Sequence, residues 1–266
     1  MAVLLQEKWG KDGNYLRNIS KGMHVEIFTN KGKLAKGFIE EMGSRKDFDP
    51  DGIMVVLKTG EVGRVKKILS EKIFSETEHL IKKGESSKVE FKSDALWSIN
   101  KTEQEIKESK SYDLHTYRHK ASKVIIARSI AALLNSEGGN LIIGIKEKKD
   151  SGNNFNFEII GIEEDLAKLK SLGKDAGKDG YKRMIIDDII RSYFPPRIYN
   201  RLNQHLKIEF EEVSDKLLCI IRINKGDSRV FLNLEGKKIF MIRTETESRQ
   251  IVDEELVDYC MSRFLR

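Results

Sequence analysis

The stretch from Val124 to Ile145 constrains the fold of this chain more than any other. Residues 124–134 are strongly apolar over a length typical of a helix, and the glycines of Asn135-Ser136-Glu137-Gly138-Gly139 are residues that commonly end helices. Residues 140–145 follow as an apolar run whose side chains would occupy both faces of a strand. Because such a helix and strand must both be covered, this stretch predicts a mixed α+β domain around a buried sheet.

The rest of the C-terminal part continues this mixed pattern. Further strands are predicted at residues 157–160, 208–212, 217–223 and 238–243, and helices at 181–193 and 253–265. Residues 93–122 are polar and irregular, which is typical of either a mobile loop or a partly helical insertion. We assign residues 84–266 to this domain.

Residues 20–70 show a different pattern, typical of a small β-barrel. Runs such as His24 to Phe28 alternate in polarity, and the turns Asn30-Lys31-Gly32-Lys33 and Lys58-Thr59-Gly60-Glu61 supply glycine for tight hairpins. Short strands in this number predict a closed or half-closed barrel of the SH3 or Tudor kind. We assign residues 1–70 to this module and the charged segment 71–83 to a linker.

The amino-acid composition indicates which kinds of binding partner and which cellular location to expect. The 48 Lys and Arg residues exceed the 42 Asp and Glu residues by six, which favours an anionic partner such as RNA or DNA but also fits an ordinary soluble surface. No apolar run approaches the roughly 20 residues of a membrane-spanning helix, and the charged start is unlike a signal peptide. We therefore expect a cytoplasmic protein without membrane contact.

The segment from Glu85 to Lys92 carries the residues most suggestive of chemistry. If Val89 to Lys92 is a strand, Glu90 and Lys92 project from the same face. Nucleases use such pairs, because the carboxylate holds a divalent metal that activates water and the lysine steadies charge on the phosphate. Glu85 precedes the strand in a serine-containing turn, where its side chain is free to swing toward Glu90.

Glu147 is a third acid, just past the predicted strand 140–145. If the two strands are neighbours, Glu85, Glu90 and Glu147 would converge at one sheet edge, and three carboxylates suit Mg²⁺ or Mn²⁺. The alternative interpretation is that these acids are solvated surface charges in weak ion pairs.

Two motifs in this part of the chain resemble the AlbA-type domain of Schlafen proteins. The first is Glu-Ser-Ser-Lys-Val-Glu-Phe-Lys at residues 85–92, and the second runs from Ile130 to Ile145 through Asn-Ser-Glu-Gly-Gly. The likeness continues through residues 160–162, 178–181 and 239–244. The N-terminal module is similar to a small uncharacterised bacterial family of the YwbE type, through residues 21–27, 36–39, 51–57 and 60–65.

The Schlafen resemblance implies a divalent-metal-dependent endoribonuclease acting on structured RNA such as tRNA or rRNA. The three acids of those enzymes fall on Glu85, Glu90 and Glu147 of this chain, with Lys92 assisting. Family members commonly have Asp-Asp where this chain has Lys146-Glu147, so the third metal ligand differs by one methylene. Many bacterial relatives are described only as DNA-binding or transcription-regulating proteins, which leaves a non-catalytic DNA- or RNA-binding module as the alternative.

Besides Lys92 and further lysines of the 93–123 insertion, four cations are candidates for contacts with a phosphate backbone, and each is alternatively an ordinary surface charge. They are Arg118, Lys123, Arg243 and Arg249. Schlafen cores pair two such lobes within one chain, and this chain has one, so the resemblance also implies a homodimer. A protein-interaction adaptor, in which the barrel reads a peptide, is a third possibility.

Overall fold

Four antiparallel strands of the N-terminal unit close into a barrel, because β1 pairs with both β2 and β4. The strands are β1 (His24–Thr29), β2 (Leu34–Met42), β3 (Met54–Leu57) and β4 (Val62–Ser70). The computed structural model describes residues 13–70, 75–149 and 155–265. Residues 1–12 of the predicted module and 71–74 of the predicted linker therefore lie outside the described residues.

The inside of the barrel is lined by one face of each strand. Val25, Ile27, Ile39, Val55 and Val65 are buried there, in the period-2 pattern that the sequence predicted. Gly32 and Gly60 adopt positive φ in the two predicted hairpin turns, a conformation that glycine tolerates without strain. The prediction of a small closed barrel is confirmed.

The chain divides into two compact units, Met1–His79 and Leu80–Arg266. The second unit contains a four-stranded sheet in the order β5-β6-β10-β9, in which β5 and β6 are parallel and the other pairs antiparallel. A three-stranded sheet, β11-β12-β13, and a ribbon, β7-β8, complete it. The strands are β5 (Val89–Lys92), β6 (Gly139–Ile143), β7 (Ile145–Lys149), β8 (Phe155–Ile159), β9 (Leu206–Val213), β10 (Lys216–Ile223), β11 (Phe231–Leu234), β12 (Lys237–Arg243) and β13 (Ser248–Gln250).

Helices surround these sheets, and none within the described ranges is long and apolar enough to cross a membrane. They are α1 (Glu76–Lys83), α2 (Glu103–Glu108), α3 (Tyr112–Tyr117), α4 (Ala121–Asn135), α5 (Glu163–Ser171), α6 (Lys178–Met184), α7 (Arg191–Tyr193), α8 (Pro196–Asn200), α9 (Leu202–His205) and α10 (Asp253–Phe264). A π-helical segment, Ile185–Ile190, joins α6 to α7, and short 3₁₀ turns span Leu16–Asn18 and Arg118–Lys120.

Helix α4 is the centre of the second unit. Its apolar residues are buried around the helix, which explains why the sequence shows no polar face there. The prediction of a mixed α/β domain is confirmed. Of the two alternatives for residues 93–122, the structure shows the partly helical insertion: the segment contains α2 and α3, and Ile106 and Leu114 anchor these helices in the main core.

Candidate functional site

A tight turn and a parallel strand pair position the acidic motif. Ser86 and Val89 exchange backbone hydrogen bonds, so the chain reverses directly before β5 and places Glu85 beside that strand. Strand β5 then pairs with β6, with Glu90 opposite Leu141. Gly139 opens β6 with φ +141°, and a Cβ atom there would lie 2.2 Å from the carbonyl oxygen of Lys88. The second glycine of the Gly-Gly pair is thus required for the close approach of β6 to β5.

Glu90 is the centre of the site and is only 4% exposed. Its Oε1 atom accepts a hydrogen bond from the ammonium of Lys92, and the Ser129 hydroxyl lies 3.4 Å away. Its Oε2 atom forms an ion pair with the guanidinium of Arg243 but accepts no hydrogen bond of normal geometry. The carboxylate is therefore held between two cations, which compensate the cost of burying its charge.

Glu85 lies beside this group and is half-buried. Its Oε1 atom accepts the backbone N–H of Phe91 at 2.8 Å, and Arg243 lies 3.9 Å from its other oxygen. Burial raises the pKa of Glu85, and the nearby Glu90 adds to this, while the Phe91 N–H opposes it. A carboxylate of this kind holds its proton more readily than an exposed one.

Arg243 is a positioning residue in this arrangement. Its side chain is buried; Nε and Nη2 donate to the carbonyl oxygens of Ser86 and Val89, both at 3.0 Å. Its backbone N–H donates to the Ser136 hydroxyl at 2.9 Å. The donors of Arg243 are thus used to lock β12 against the turn that carries Glu85, and a contact of Arg243 with nucleic acid stays a prediction.

The Asn-Ser end of helix α4 holds β12 in place. The Asn135 amide donates to the carbonyl oxygens of Val230 and Met241 at 2.8 and 2.9 Å, and its oxygen accepts the Val230 N–H. Ser136 then takes the N–H of Arg243. The motif that the sequence identified as a helix end therefore also aligns the strand that brings Arg243 to Glu90.

These groups line an open cleft of about 270 Å³. Its lining consists of Glu85, Glu90, Lys92, Asp113, Ile125, Arg128, Ser129, Arg243, Thr246, Glu247 and Ser248. Sequence reasoning missed Arg128, whose Nη1 donates to Asp113 at 2.6 Å while its buried Nε has no hydrogen-bond partner. The signal was present in the sequence, because Arg128 is the charged residue within the apolar run of residues 124–134.

Glu147 does not line this cleft. It is exposed on β7, where it pairs with Phe157 of β8. Within the described ranges, no group of three or more His, Cys, Asp or Glu side chains is arranged to hold a metal ion. The oxygens of Glu90 are occupied by Lys92 and Arg243, so the described residues do not fit the predicted three-carboxylate centre for Mg²⁺ or Mn²⁺.

The other predicted binding cations lie outside the cleft lining. Arg118 pairs with Glu103, Lys123 with Asp188 at 2.8 Å, and Arg249 with Glu255. The structure thus gives each of them an acidic partner, and their contact with nucleic acid stays a prediction.

The protein consists of two modules. The first is a four-stranded barrel, and the second is a mixed α/β domain with a cleft in which a buried carboxylate contacts two cations. The chain belongs to the Schlafen, AlbA_2 family, whose model matches residues 85–252. Its N-terminal module matches an uncharacterised conserved family, DUF2196, over residues 12–68. Both resemblances drawn from the sequence are confirmed.

Individual relatives agree with this division. The uncharacterised protein YwbE of Bacillus subtilis (strain 168) is 35% identical over 63 residues, which is 22% of this chain and 97% of YwbE, so the N-terminal module belongs to the YwbE family. The DIP2311 protein of Corynebacterium diphtheriae is 16% identical, with a TM-score of 0.35 over 66% of this chain; the chain spans only 28% of it. The N-terminal domain of a RecG-related protein of Nitrosomonas europaea is 14% identical, with a TM-score of 0.32 over 64% of this chain and 87% of that domain. These two structural likenesses are too weak to support an argument.

Proposed function

We propose that this chain binds nucleic acid through its AlbA_2 domain and cleaves structured RNA, such as tRNA, at the cleft around Glu90. Membership of the Schlafen, AlbA_2 family supports nucleic-acid binding. The observation that supports cleavage is the buried carboxylate of Glu90, held between Lys92 and Arg243 next to the half-buried Glu85. A carboxylate with a raised pKa, such as Glu85, beside cations in an open cleft is typical of a catalytic site.

In this proposal Glu85 acts as the general base. Its pKa is raised by burial, which makes it a better proton acceptor than an exposed glutamate. Glu85 takes the proton from an RNA 2′-hydroxyl, the 2′-oxygen attacks the phosphorus, and the bond from phosphorus to the 5′-oxygen breaks. The departing 5′-oxygen takes a proton from water. The products are a 2′,3′-cyclic phosphate and a 5′-hydroxyl.

Cations of the cleft oppose the negative charge that develops on the phosphate. Lys92 is partly exposed and Arg128 lines the same cleft, whereas Arg243 keeps Glu85 and Glu90 in position. A divalent metal remains a prediction from the family resemblance. No step of this proposal passes through one, because the described carboxylates do not form a site for it.

Incubation of the purified chain with tRNA, in Mn²⁺ and separately in EDTA, tests the proposal. We expect cleavage by the wild type that is lost in Glu85→Gln and Glu90→Gln. Glu103→Gln is the matched control, because Glu103 is exposed and lies outside the cleft lining. Cleavage that is indifferent to both cleft substitutions would refute the catalytic role.

A non-catalytic binding module is the second candidate. It is favoured by the ion pairs that already occupy Glu90 and by the exposed position of Glu147 outside the cleft. It predicts salt-sensitive binding of RNA or DNA by a wild-type chain that cleaves neither in Mg²⁺ nor in Mn²⁺. Comparison of RNA and DNA of the same sequence would identify the preferred partner.

A further inference from the structure

The outer face of strands β1 and β2 in the barrel exposes apolar side chains where polar ones are normal. We call it the β1–β2 face and define it by His24, Phe28, Leu34, Lys36 and Phe38. Phe28 is 46% exposed, Leu34 61% and Phe38 37%. None of the five contributes to the barrel interior.

The pairing of β1 with β2 places four of these residues in two cross-strand pairs. His24 lies opposite Phe38, and their rings stack with centroids 4.8 Å apart at 27°. Phe28 lies opposite Leu34. The two pairs lie four residue positions apart along β1, or about 14 Å of strand. Single exposed apolar side chains are ordinary, but aligned cross-strand pairs of them form a surface that fits a ligand.

The charges between these pairs are mainly positive. Lys36 lies between them and makes an ion pair with Glu26 at 3.4 Å, yet its side chain remains 62% exposed. On β4, Lys67 is exposed and lies opposite the same Glu26. Two lysines thus lie opposite one glutamate on the neighbouring strands, so the surface keeps a positive charge next to the aromatic rings.

We propose that the β1–β2 face binds single-stranded nucleic acid, with unpaired bases stacked on Phe28 and Phe38 and the phosphates near Lys36 and Lys67. Aromatic side chains interleaved with cations suit this ligand, because every base has a flat π-face and every nucleotide a negative charge. The positive charge of Lys36 and Lys67 favours a polyanion over a basic peptide as the occupant of this face. The site lies in the N-terminal unit and is independent of the proposed cleavage cleft.

Fluorescence anisotropy with the full-length chain tests this proposal. The probes are a labelled twelve-nucleotide 2′-O-methyl RNA and a DNA of the same sequence, both in EDTA so that neither is consumed. We expect Phe28→Ala with Phe38→Ala to weaken binding of both by about thirtyfold, because the loss of about 1 kcal/mol of stacking at each of two bases corresponds to roughly that factor in Kd. Phe28→Tyr with Phe38→Tyr should retain wild-type affinity, since a tyrosine ring also stacks.

Phe48→Ala is the matched control. Phe48 is 48% exposed in the same unit but lies outside the strands of the β1–β2 face, and its loss should leave Kd unchanged. Thermal melting checks that each variant is folded, which we expect because the substituted side chains are exposed. A fully base-paired duplex should bind the double alanine variant as it binds the wild type, since its bases cannot stack on the rings.

Ultraviolet cross-linking of the wild-type chain to the same oligonucleotides locates the contact. Cross-linked peptides from residues 24–38 would support the proposal. An unchanged Kd in the double alanine variant, or cross-links confined to the second unit, would overturn it. Absence of oligonucleotide binding together with saturable binding of an acidic peptide would overturn it in favour of a peptide reader. Failure to cleave tRNA bears only on the cleft, so the two proposals fail separately.

Discussion

Arg243, at the end of β12, forms a buried ion pair with Glu90 in the middle of β5. Both side chains are almost completely excluded from solvent, at 1% and 5% exposure. Removal of either partner would leave the other as an uncompensated buried charge. The pair therefore couples the folding of the second unit to the geometry of its cleft.

We predict that Arg243→Met lowers the free energy of unfolding by about 3–5 kcal/mol, because Glu90 loses its buried cation. Denaturant unfolding measures this. The double variant Glu90→Gln with Arg243→Met should lose less than the sum of the single losses, since it buries no unpaired charge. Arg249→Met is the control and should leave the free energy of unfolding nearly unchanged, because Arg249 makes an exposed ion pair that solvent screens. An Arg243→Met variant as stable as the wild type would contradict the prediction.

The pH dependence of cleavage should follow Glu85. Its pKa is raised from the ordinary value of 4.5, and only the ionised form accepts a proton, so the rate should fall as pH drops through this raised pKa.

The pH dependence of stability should have the opposite sign. The stabilising contribution of Glu85 is present below pH 4.5 and is lost as pH rises through its folded-state pKa. The cleavage rate and the denaturation curve of the wild type, measured as a function of pH, check the two expectations. The denaturation curves of Glu85→Gln are the reference, because this variant does not titrate at position 85. A pH profile of cleavage without this acidic limb would rule out Glu85 as the base.

Asp165 should prove important for stability alone. It is fully buried and accepts the backbone N–H groups of Ala95 and Leu96 at 2.7 and 3.1 Å and the Tyr181 hydroxyl at 2.8 Å. Asp165→Ala would leave these donors unsatisfied, and at about 1–3 kcal/mol for each it should unfold much of the protein at room temperature. Circular dichroism is the measurement. Asp179→Ala, on α6, is the comparison and should remain folded.

Glu147 distinguishes the arrangement described here from a three-acid metal centre. Because Glu147 is exposed and outside the cleft lining, we expect Glu147→Gln to keep the cleavage rate within about twofold, whereas Glu90→Gln abolishes it. The assay is the rate of tRNA cleavage at fixed Mn²⁺. Equal losses in the two variants, together with inhibition by EDTA, would show that Glu147 joins the other acids when RNA and metal are bound.

The homodimer implied by the family resemblance remains a prediction. Helix α10 has exposed apolar residues on adjacent turns, Val257 at 56% and Met261 at 57% exposure, which makes this helix the place to look for a self-association surface. Light scattering at micromolar concentration should give a molar mass twice that of the chain. The Met261→Glu variant should give a molar mass closer to that of a single chain. A wild-type monomer would refute the prediction.

The amino-acid sequence determined the local structure of both units. Period-2 alternation and glycine turns define the barrel strands, and the apolar segment before Gly138 defines α4, because these patterns depend on neighbours in the chain. The motif around Glu90 was also readable, since alternation in a strand places Glu90 and Lys92 on one face. Family likeness extended this reading from single elements to the whole second unit.

Only the tertiary structure decided which distant residues complete the cleft. Arg243 reaches Glu90 because Asn135 and Ser136 align β12, and Glu147 is directed elsewhere because β7 pairs with β8. Such relationships depend on sheet register and on helix packing between segments far apart in the chain, which local patterns do not encode. For the same reason Arg243, which the sequence presents as one more surface cation, is a buried positioning residue in the folded protein.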